Sequence, residues 1–432
     1  MRQIADFHIH SKYSRACSRD LTLPNIDAVC RVKGVDIIAT GDFTYPAWFS
    51  DIKNELEEIG ESGLYKLKKA KDDKVKFVLS TELALIYKSG GKARRIHLVV
   101  HAPNIKAVEE LNKYLDKKYN IRSDGRPILG MSAADLTRIC LSIHQKFLIY
   151  PAHIWTPWFS VFGSKSGFDS MEECFGEYAK GIYAYETGLS SDPEMNWRLS
   201  ALDKLTLLSN SDAHSLPNIA REANVFELNK ITYDEIYNVI KKHSTFSDSE
   251  LGSGRPEPSS AGRLKYTIEF YPEEGMYHYD GHRDCGVSFA PAETKKNKGI
   301  CPVCKKPLTI GVMNRVEELA DREEGFKPKG APGFKKLVEL DKIIAEALGV
   351  KSRGSRKVRM EYDNITKRLG GELYVLTDAP FADIKKVTLP IIAEGIKRAR
   401  EGKLIIKPGF DGRYGTIKIF SEEEKKNQMS LF

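Results

Sequence analysis

The first half of the sequence predicts an α/β fold in which strands alternate with helices around a distorted barrel. Three observations predict it. Short β-branched or aromatic runs recur at Ile4–Ile9, Val35–Ala39, Val75–Leu79, Ile96–Val100, Phe147–Tyr150, Ile182–Tyr185, Leu205–Leu208 and Asn224–Leu228. Helix-like stretches lie between many of them, at Asp51–Lys71, Ile105–Tyr119 and Ala133–Ile143. No glycine-rich dinucleotide loop is present to support the alternative, an open doubly wound sheet. Alternation of this kind implies a largely parallel sheet, the number of repeats implies closure, and their unequal spacing implies distortion.

The barrel is expected over residues 1–250. Residues 251–262 read LGSGRPEPSSAG, the composition of a linker or exposed loop. A compact Cys/His zinc-binding module follows over 263–315. Residues 316–432 form a basic, mainly helical region, with amphipathic patterns at Phe334–Leu348 and Leu389–Arg400 and an extended stretch near Lys403–Phe420. At 432 residues the chain has room for two or three such units.

Hydrophobic residues make up 41% and charged residues 29%, a globular composition rather than a disordered one. No apolar run approaches the roughly 20 residues that span a bilayer, so no membrane partner is expected. Met1–His10 has neither a basic n-region nor an apolar h-region, which points to a cytoplasmic protein. The net charge of +8 is too small to argue for nucleic acid alone; its distribution matters more. Cys17, Cys30, Cys140 and Cys174 are scattered, whereas Cys285, Cys301 and Cys304 sit close together, a pattern that favours metal ligation over disulfides.

The strongest chemical signal is Asp6-Phe7-His8-Ile9-His10. Strand side chains alternate faces, so His8 and His10 project together and can ligate one ion. Asp212 and His214, in SNSDAH, repeat the spacing. Between these pairs, candidate ligands follow or accompany successive strand-like runs: Asp42, Glu82, His97 with His101, His153 and Glu186. Barrel active sites are built where such loops converge. Any one of these residues alone reads as a solvated carboxylate or a hydrogen-bonded core histidine; seven of the ten histidines preceding residue 215 make the set more telling. Mixed imidazole and carboxylate ligation suits zinc, manganese or iron, and closely spaced metals suit phosphoester cleavage.

A second site lies downstream. His282-x-x-Cys285 precedes Cys301-Pro-Val-Cys304, a four-ligand arrangement for one structural zinc; His278 is an alternative to His282. Lys351, Arg353, Arg356, Lys357 and Arg359 then fall within nine residues, a run that would contact phosphates without reading sequence.

HIHSKYS, TGDF, TEL, IHLVV, PAH and SDAH occur in the order found in the PHP (polymerase and histidinol phosphatase) family, which this chain resembles. The resemblance implies a distorted seven-stranded barrel holding two or three divalent ions, zinc, manganese or magnesium, on His8, His10, Glu82, His97, His153, Asp212 and His214. The family's second motif ordinarily ends Asp-His; here it is Asp42-Phe43, so Asp42 takes the place of the missing ligand. Asp20 matches the early acidic position. With its zinc module and basic tail, the chain is further similar to the endonuclease Q group within that family, DNA repair nucleases found mainly in archaea, through YETGLSSDPEMNWRLS, YHYDGHRDCGVS, CPVCKKPLTIGVMNRVEELADR and PGFDGRYG. That implies nicking of double-stranded DNA 5′ to hypoxanthine, uracil or xanthine and at abasic sites by metal-activated water, in a nucleoid-associated enzyme.

Asp192 is expected either as a metal ligand or proton-transfer group, or as the cap of a helix opened by Pro193. Trp48, Trp155, Trp158, Phe159 and Trp197 are candidates to stack on an extruded base. The tail Gln428–Phe432 resembles a shortened sliding-clamp peptide. Two rival functions stand beside the nuclease: a small-molecule phosphatase on the same barrel, and a DNA-binding protein with an inactive barrel.

Overall fold

The computed structural model describes residues 1–243, 262–421 and 423–424. The expected linker, save Gly262, and the tail Gln428–Phe432 lie outside the described residues.

The strands are β1 (Arg2–Asp6), β2 (Ile37–Ala39), β3 (Leu56–Glu58), β4 (Tyr65–Leu67), β5 (Lys76–Val78), β6 (Ser80–Ser89), β7 (Lys92–His101), β8 (Ile128–Leu129), β9 (Leu148–Pro151), β10 (Ala184–Glu186), β11 (Thr206–Leu208), β12 (Ala223–Glu227), β13 (Arg263–Glu269), β14 (Asp280–His282), β15 (Val287–Phe289), β16 (Gly333–Lys336), β17 (Ile405–Lys407) and β18 (Thr416–Lys418). They form an α/β fold of several sheets. The largest runs β16-β13-β12-β1-β2-β5-β4-β3, a second runs β8-β6-β7-β9, and β10 pairs with β11. β1, β2 and β5 are mutually parallel, and Ile37, Ile38 and Ala39 of β2 are all buried, as a strand covered on both faces requires.

Two helices of the first half start where a polar cap and apolar spacing coincide. Ile105–Asp116 is capped by the Asn104 side chain, which accepts from the Ala107 amide, and it buries Ala107, Val108, Leu111 and Leu115. Ala133–Ile143 is capped by Ser132 in the same way.

The helix expected over Asp51–Lys71 is not formed as one element. A helix covers Pro46–Glu55, and the chain then turns through the β3–β4 hairpin. Gly60 and Gly63 stand at φ +60° and +69° inside that stretch, left-handed positions at which a helix ends.

Nor does the main sheet stop at the linker. β13 pairs antiparallel with β12, and β16 pairs parallel with β13, so residues on both sides of the Cys/His region complete the sheet begun by β1. The helices Leu340–Ala347, Arg356–Leu369 and Pro390–Arg400 contribute Ile343, Ile344, Ile365, Ile392 and Ile396 to one apolar core continuous with Ile4 and Phe226. The described residues contain no helix long and apolar enough to cross a membrane.

Candidate metal centre

Just beyond β1, Ile9 bridges Ala213 in parallel. That bridge places His8 and His10, on either side of Ile9, beside Asp212. Glu82 on β6 faces Val99 of β7, and His97 faces Ala84, so Glu82 and His97 are diagonal neighbours on one face of the hairpin. His153 follows β9. Asp42, His153 and Asp212 all hold positive φ, at 48°, 30° and 46°, a concentration of sparsely populated backbone at one place. Gly188 is needed there: a Cβ would lie 2.4 Å from that of His153.

Two groups of donor atoms result, each within 4.8 Å of one another: His8, His10, Glu82 and Asp212, and Glu82, His97 and His153. Glu82 belongs to both. Its Oε2 lies 3.2 Å from His10 Nε2, and its Oε1 lies 2.7 Å from His97 Nδ1 and 3.2 Å from His153 Nε2. A carboxylate placed between two sets of imidazoles offers one oxygen to each group.

The surroundings leave ring nitrogens aimed inward. Glu186 sits 3.0 Å from His8 Nδ1, Asp42 Oδ1 sits 3.1 Å from His10 Nδ1, and Thr156 Oγ1 sits 3.1 Å from His153 Nδ1. Protons on those outer nitrogens free the three Nε2 atoms to ligate. His8 Nε2 is buried without a hydrogen-bond partner, an orphan that a metal ion would satisfy. Burial alone would push the Glu82 carboxyl up; His97, Arg126 and His8 outweigh it and hold the group well below the usual carboxylate range. Burial carries His97 down to about 4, leaving its imidazole neutral for ligation.

The other candidates stand elsewhere. Asp42 lies behind His10, its Oδ2 accepting from the Ser11 amide and from the Ser11 and Ser14 hydroxyls. Glu186 lies behind His8 and also accepts from Asn210 Nδ2 at 3.0 Å. His214 is outside both groups, its ring 4.5 Å from that of His10 and its Nδ1 2.9 Å from the Asp212 carbonyl oxygen. His101 meets the Tyr150 hydroxyl at 3.0 Å in the core. Asp20 is exposed, 3.3 Å from the Ser18 hydroxyl. Asp192 caps the short helix Pro193–Asn196 through the Met195 amide at 2.9 Å, and its other oxygen pairs with Lys336 at 2.7 Å. Of the aromatics, Trp48, Trp155 and Trp197 are buried, Trp158 is exposed, and Phe159 packs its ring 4.5 Å from that of His97.

Three residues of the centre are not singled out from the sequence as site residues. Asp6, fully buried, accepts from the Ser211 and Ala220 amides at 3.1 and 2.9 Å and so ties the two short histidine motifs together. Asn210 accepts from the Phe7 amide at 2.9 Å. Arg126, from an irregular loop, reaches Glu82 Oε2 at 2.9 Å. Asp6 stands inside the first motif and could have been read from it; an arginine in a loop could not.

Downstream, His282, Cys285, Cys301 and Cys304 bring four donors within 4.8 Å around the β14–β15 hairpin. His278, the alternative, is buried away from them near Asp192. In the basic run, Arg353 pairs with Asp341 at 2.9 Å and Glu339 at 3.4 Å, whereas Lys351, Arg356, Lys357 and Arg359 are exposed at the start of the Arg356–Leu369 helix.

Residues 339–403 match the family model described as the MJ0043 C-terminal domain. The uncharacterized protein MJ0043 of Methanocaldococcus jannaschii is 31% identical over 270 residues, which is 61% of this chain and 31% of that protein's length. Two solved structures align along nearly the whole molecule. The lesion-specific endonuclease Q of Pyrococcus furiosus has 30% identity and a TM-score of 0.81, covering 99% of both chains. Endonuclease Q in complex with a duplex substrate bearing an abasic lesion at the active site has 31% identity and a TM-score of 0.81, covering 98% of both. On that full-length likeness, the chain belongs to the endonuclease Q family.

Proposed function

We propose that this chain is a lesion-specific DNA repair endonuclease, a metal-dependent phosphodiester hydrolase that nicks duplex DNA 5′ to hypoxanthine, uracil or xanthine and at abasic sites. One observation carries the reading: a relative at 31% identity, aligned over 98% of the chain, is bound to a lesion-bearing duplex at its active site. The shared-carboxylate donor set supports the same chemistry.

Zinc, manganese or magnesium on His8, His10, Glu82 and Asp212, and on Glu82, His97 and His153, would lower the pKa of bound water and polarise the phosphate. The protein's own part is positional. Asp42, Glu186 and Thr156 fix the ring orientations, and the buried walls limit water around the reacting phosphate. Asp212 is the open side of the centre, its side chain 21% exposed where that of Glu82 is fully buried. It is placed to accept a proton from the attacking water. Asp192, committed to a helix cap and Lys336, has no role in this scheme.

The reading extends to the architecture. The strands close a ring if three links between sheets are counted: β5 runs into β6 through Leu79, the Ile154 amide donates to the Glu186 carbonyl at 3.0 Å, and Ile9 bridges Ala213. Taken in that way, β1-β2-β5/β6-β7-β9-β10-β11 would form the distorted seven-stranded barrel. His282, Cys285, Cys301 and Cys304 would hold a structural zinc, and Lys351, Arg356, Lys357 and Arg359 would lie along DNA phosphates. The tail 428–432 would engage a sliding clamp, and the enzyme would work on the chromosome in the cytoplasm.

The test is cleavage of an end-labelled duplex carrying one deoxyinosine or abasic site, with each metal in turn, beside an Asp212→Ala control. A single nick 5′ to the lesion, absent from the control, is expected. Turnover of small phosphate esters without any nick would replace the nuclease by a phosphatase.

A further inference from the structure

Among the described residues, one cation reaches the carboxylate common to both metal groups. Arg126 Nη1 lies 2.9 Å from Glu82 Oε2, and its side chain is 25% exposed where that of Glu82 is fully buried. The backbone sets this placement. A Cβ on Gly125 would come within 2.3 Å of Ser14 Oγ and 2.5 Å of Asp42 Oδ2, so the loop lies flush against the His10–Asp42 side of the centre. The Gly125 amide donates to the Tyr13 carbonyl at 3.1 Å, and the Arg126 amide donates to Asp124 Oδ1 at 3.0 Å.

On that side the described residues offer no further ligand set. Phe43, after Asp42, is fully buried in the core. Asp42 faces His10 Nδ1, the Ser11 amide and two serine hydroxyls. Two groups in the barrel, and no third, bring donors close enough for an ion among the described residues.

We propose that Arg126 takes the place of a third metal ion: the barrel holds two, and the guanidinium donates N–H to a non-bridging oxygen of the scissile phosphate. Charge supports this. Asp6, Asp42, Glu82, Glu186 and Asp212 place five carboxylates in and behind the centre. Two divalent ions would offset four of those charges and Arg126 the fifth, so that a phosphodiester anion meets no net negative charge there. A planar fork suits both tasks, one edge on Glu82 and the other on phosphate. The inference rests on the endonuclease reading above.

Elemental analysis and nicking kinetics of the full-length protein and its Arg126→Ala and Arg126→Lys variants decide it. The wild type is expected to carry one ion for each barrel group and one in the Cys/His site. Arg126→Ala should keep all of them and its melting temperature, while kcat on an abasic duplex falls about 10²–10³-fold, the range for removing one preorganised donor. KM should move less than about threefold, as for a contact made in the transition state, and lysine should restore part of the rate. A third ion in the wild-type barrel, loss of a barrel ion from Arg126→Ala, or a kcat within about threefold of wild type would each overturn it. Failure of the wild type to cut any lesion duplex would remove the endonuclease reading instead; the ion count and turnover of bis(p-nitrophenyl) phosphate would still decide Arg126.

Discussion

Glu82 is the residue on which both metal groups depend, and its two oxygens face different imidazoles. Removing it should therefore empty both positions, whereas His97→Ala should cost one ion only. Metal content after gel filtration separates these outcomes, and equal losses would contradict a shared carboxylate. Asp42 gives a subtler case. It holds His10 by Nδ1 and lies outside the donor groups, so Asp42→Asn should lower metal affinity about 10–100-fold while leaving the ion count at saturation unchanged. The sequence makes Asp42 a ligand because it follows the Val35–Ala39 run and adjoins Phe43, which stands where the family's histidine is missing. Its place behind His10 depends on Ser11 and Ser14, whose approach no spacing rule describes.

Between elements, the junction of β12 and β13 buries two acids. Glu222, just before β12, has one oxygen without a partner, and Glu269 ends β13 against the Thr187 and Thr267 hydroxyls. Burial pushes Glu269 up to about 8, with Asp192 adding to it, and burial beside Glu269 raises Glu222 as well. A carboxyl raised in the folded state stabilises the fold fully below its unfolded pKa, near 4.5, and loses that contribution as pH rises toward 8. The neutral isostere Glu269→Gln should thus gain melting temperature over the wild type from pH 6 to pH 9, by at least about 2 °C. A difference that stays constant with pH would show that Glu269 is not the titrating group. At the same scale the stretch Asp51–Lys71 shows why pattern alone misleads. Its Leu/Ile spacing fits a helix, but Gly60 and Gly63 turn it into a hairpin whose strands find β5.

Across the whole molecule, the C-terminal region is joined to the N-terminal α/β region by a continuous core, by β16 and by ion pairs such as Lys33–Glu372 at 3.0 Å and Arg2–Asp378 at 2.7 Å. The basic run is thereby held in fixed relation to the metal centre. Replacing Lys351, Arg356, Lys357 and Arg359 by neutral residues should weaken lesion-duplex binding. The slope of log affinity against log salt should flatten by about 0.9 for each phosphate no longer neutralised. Arg353→Ala should act differently, lowering stability through Asp341 and Glu339. In the Cys/His site, Cys301→Ser should remove one zinc and lower the melting temperature, with the barrel metals retained. Loss of metal from both sites at once would mean that the Cys/His region governs the folding of the barrel.

The sequence by itself determined the features that local backbone geometry governs: the paired projection of His8 and His10, the His282–Cys285 and Cys301–Cys304 knuckles, and the strand–helix alternation of an α/β fold. Side chains two or three residues apart meet because strand and turn periodicities bring them together. Tertiary structure alone decided that Glu82 is shared, that Asp192 pairs with Lys336, that Arg126 enters the centre, and that β13 and β16 complete the main sheet. These contacts join segments tens to hundreds of residues apart, mostly through loops without periodicity, and their partners are chosen by how the packed elements close on one another rather than by any spacing along the chain.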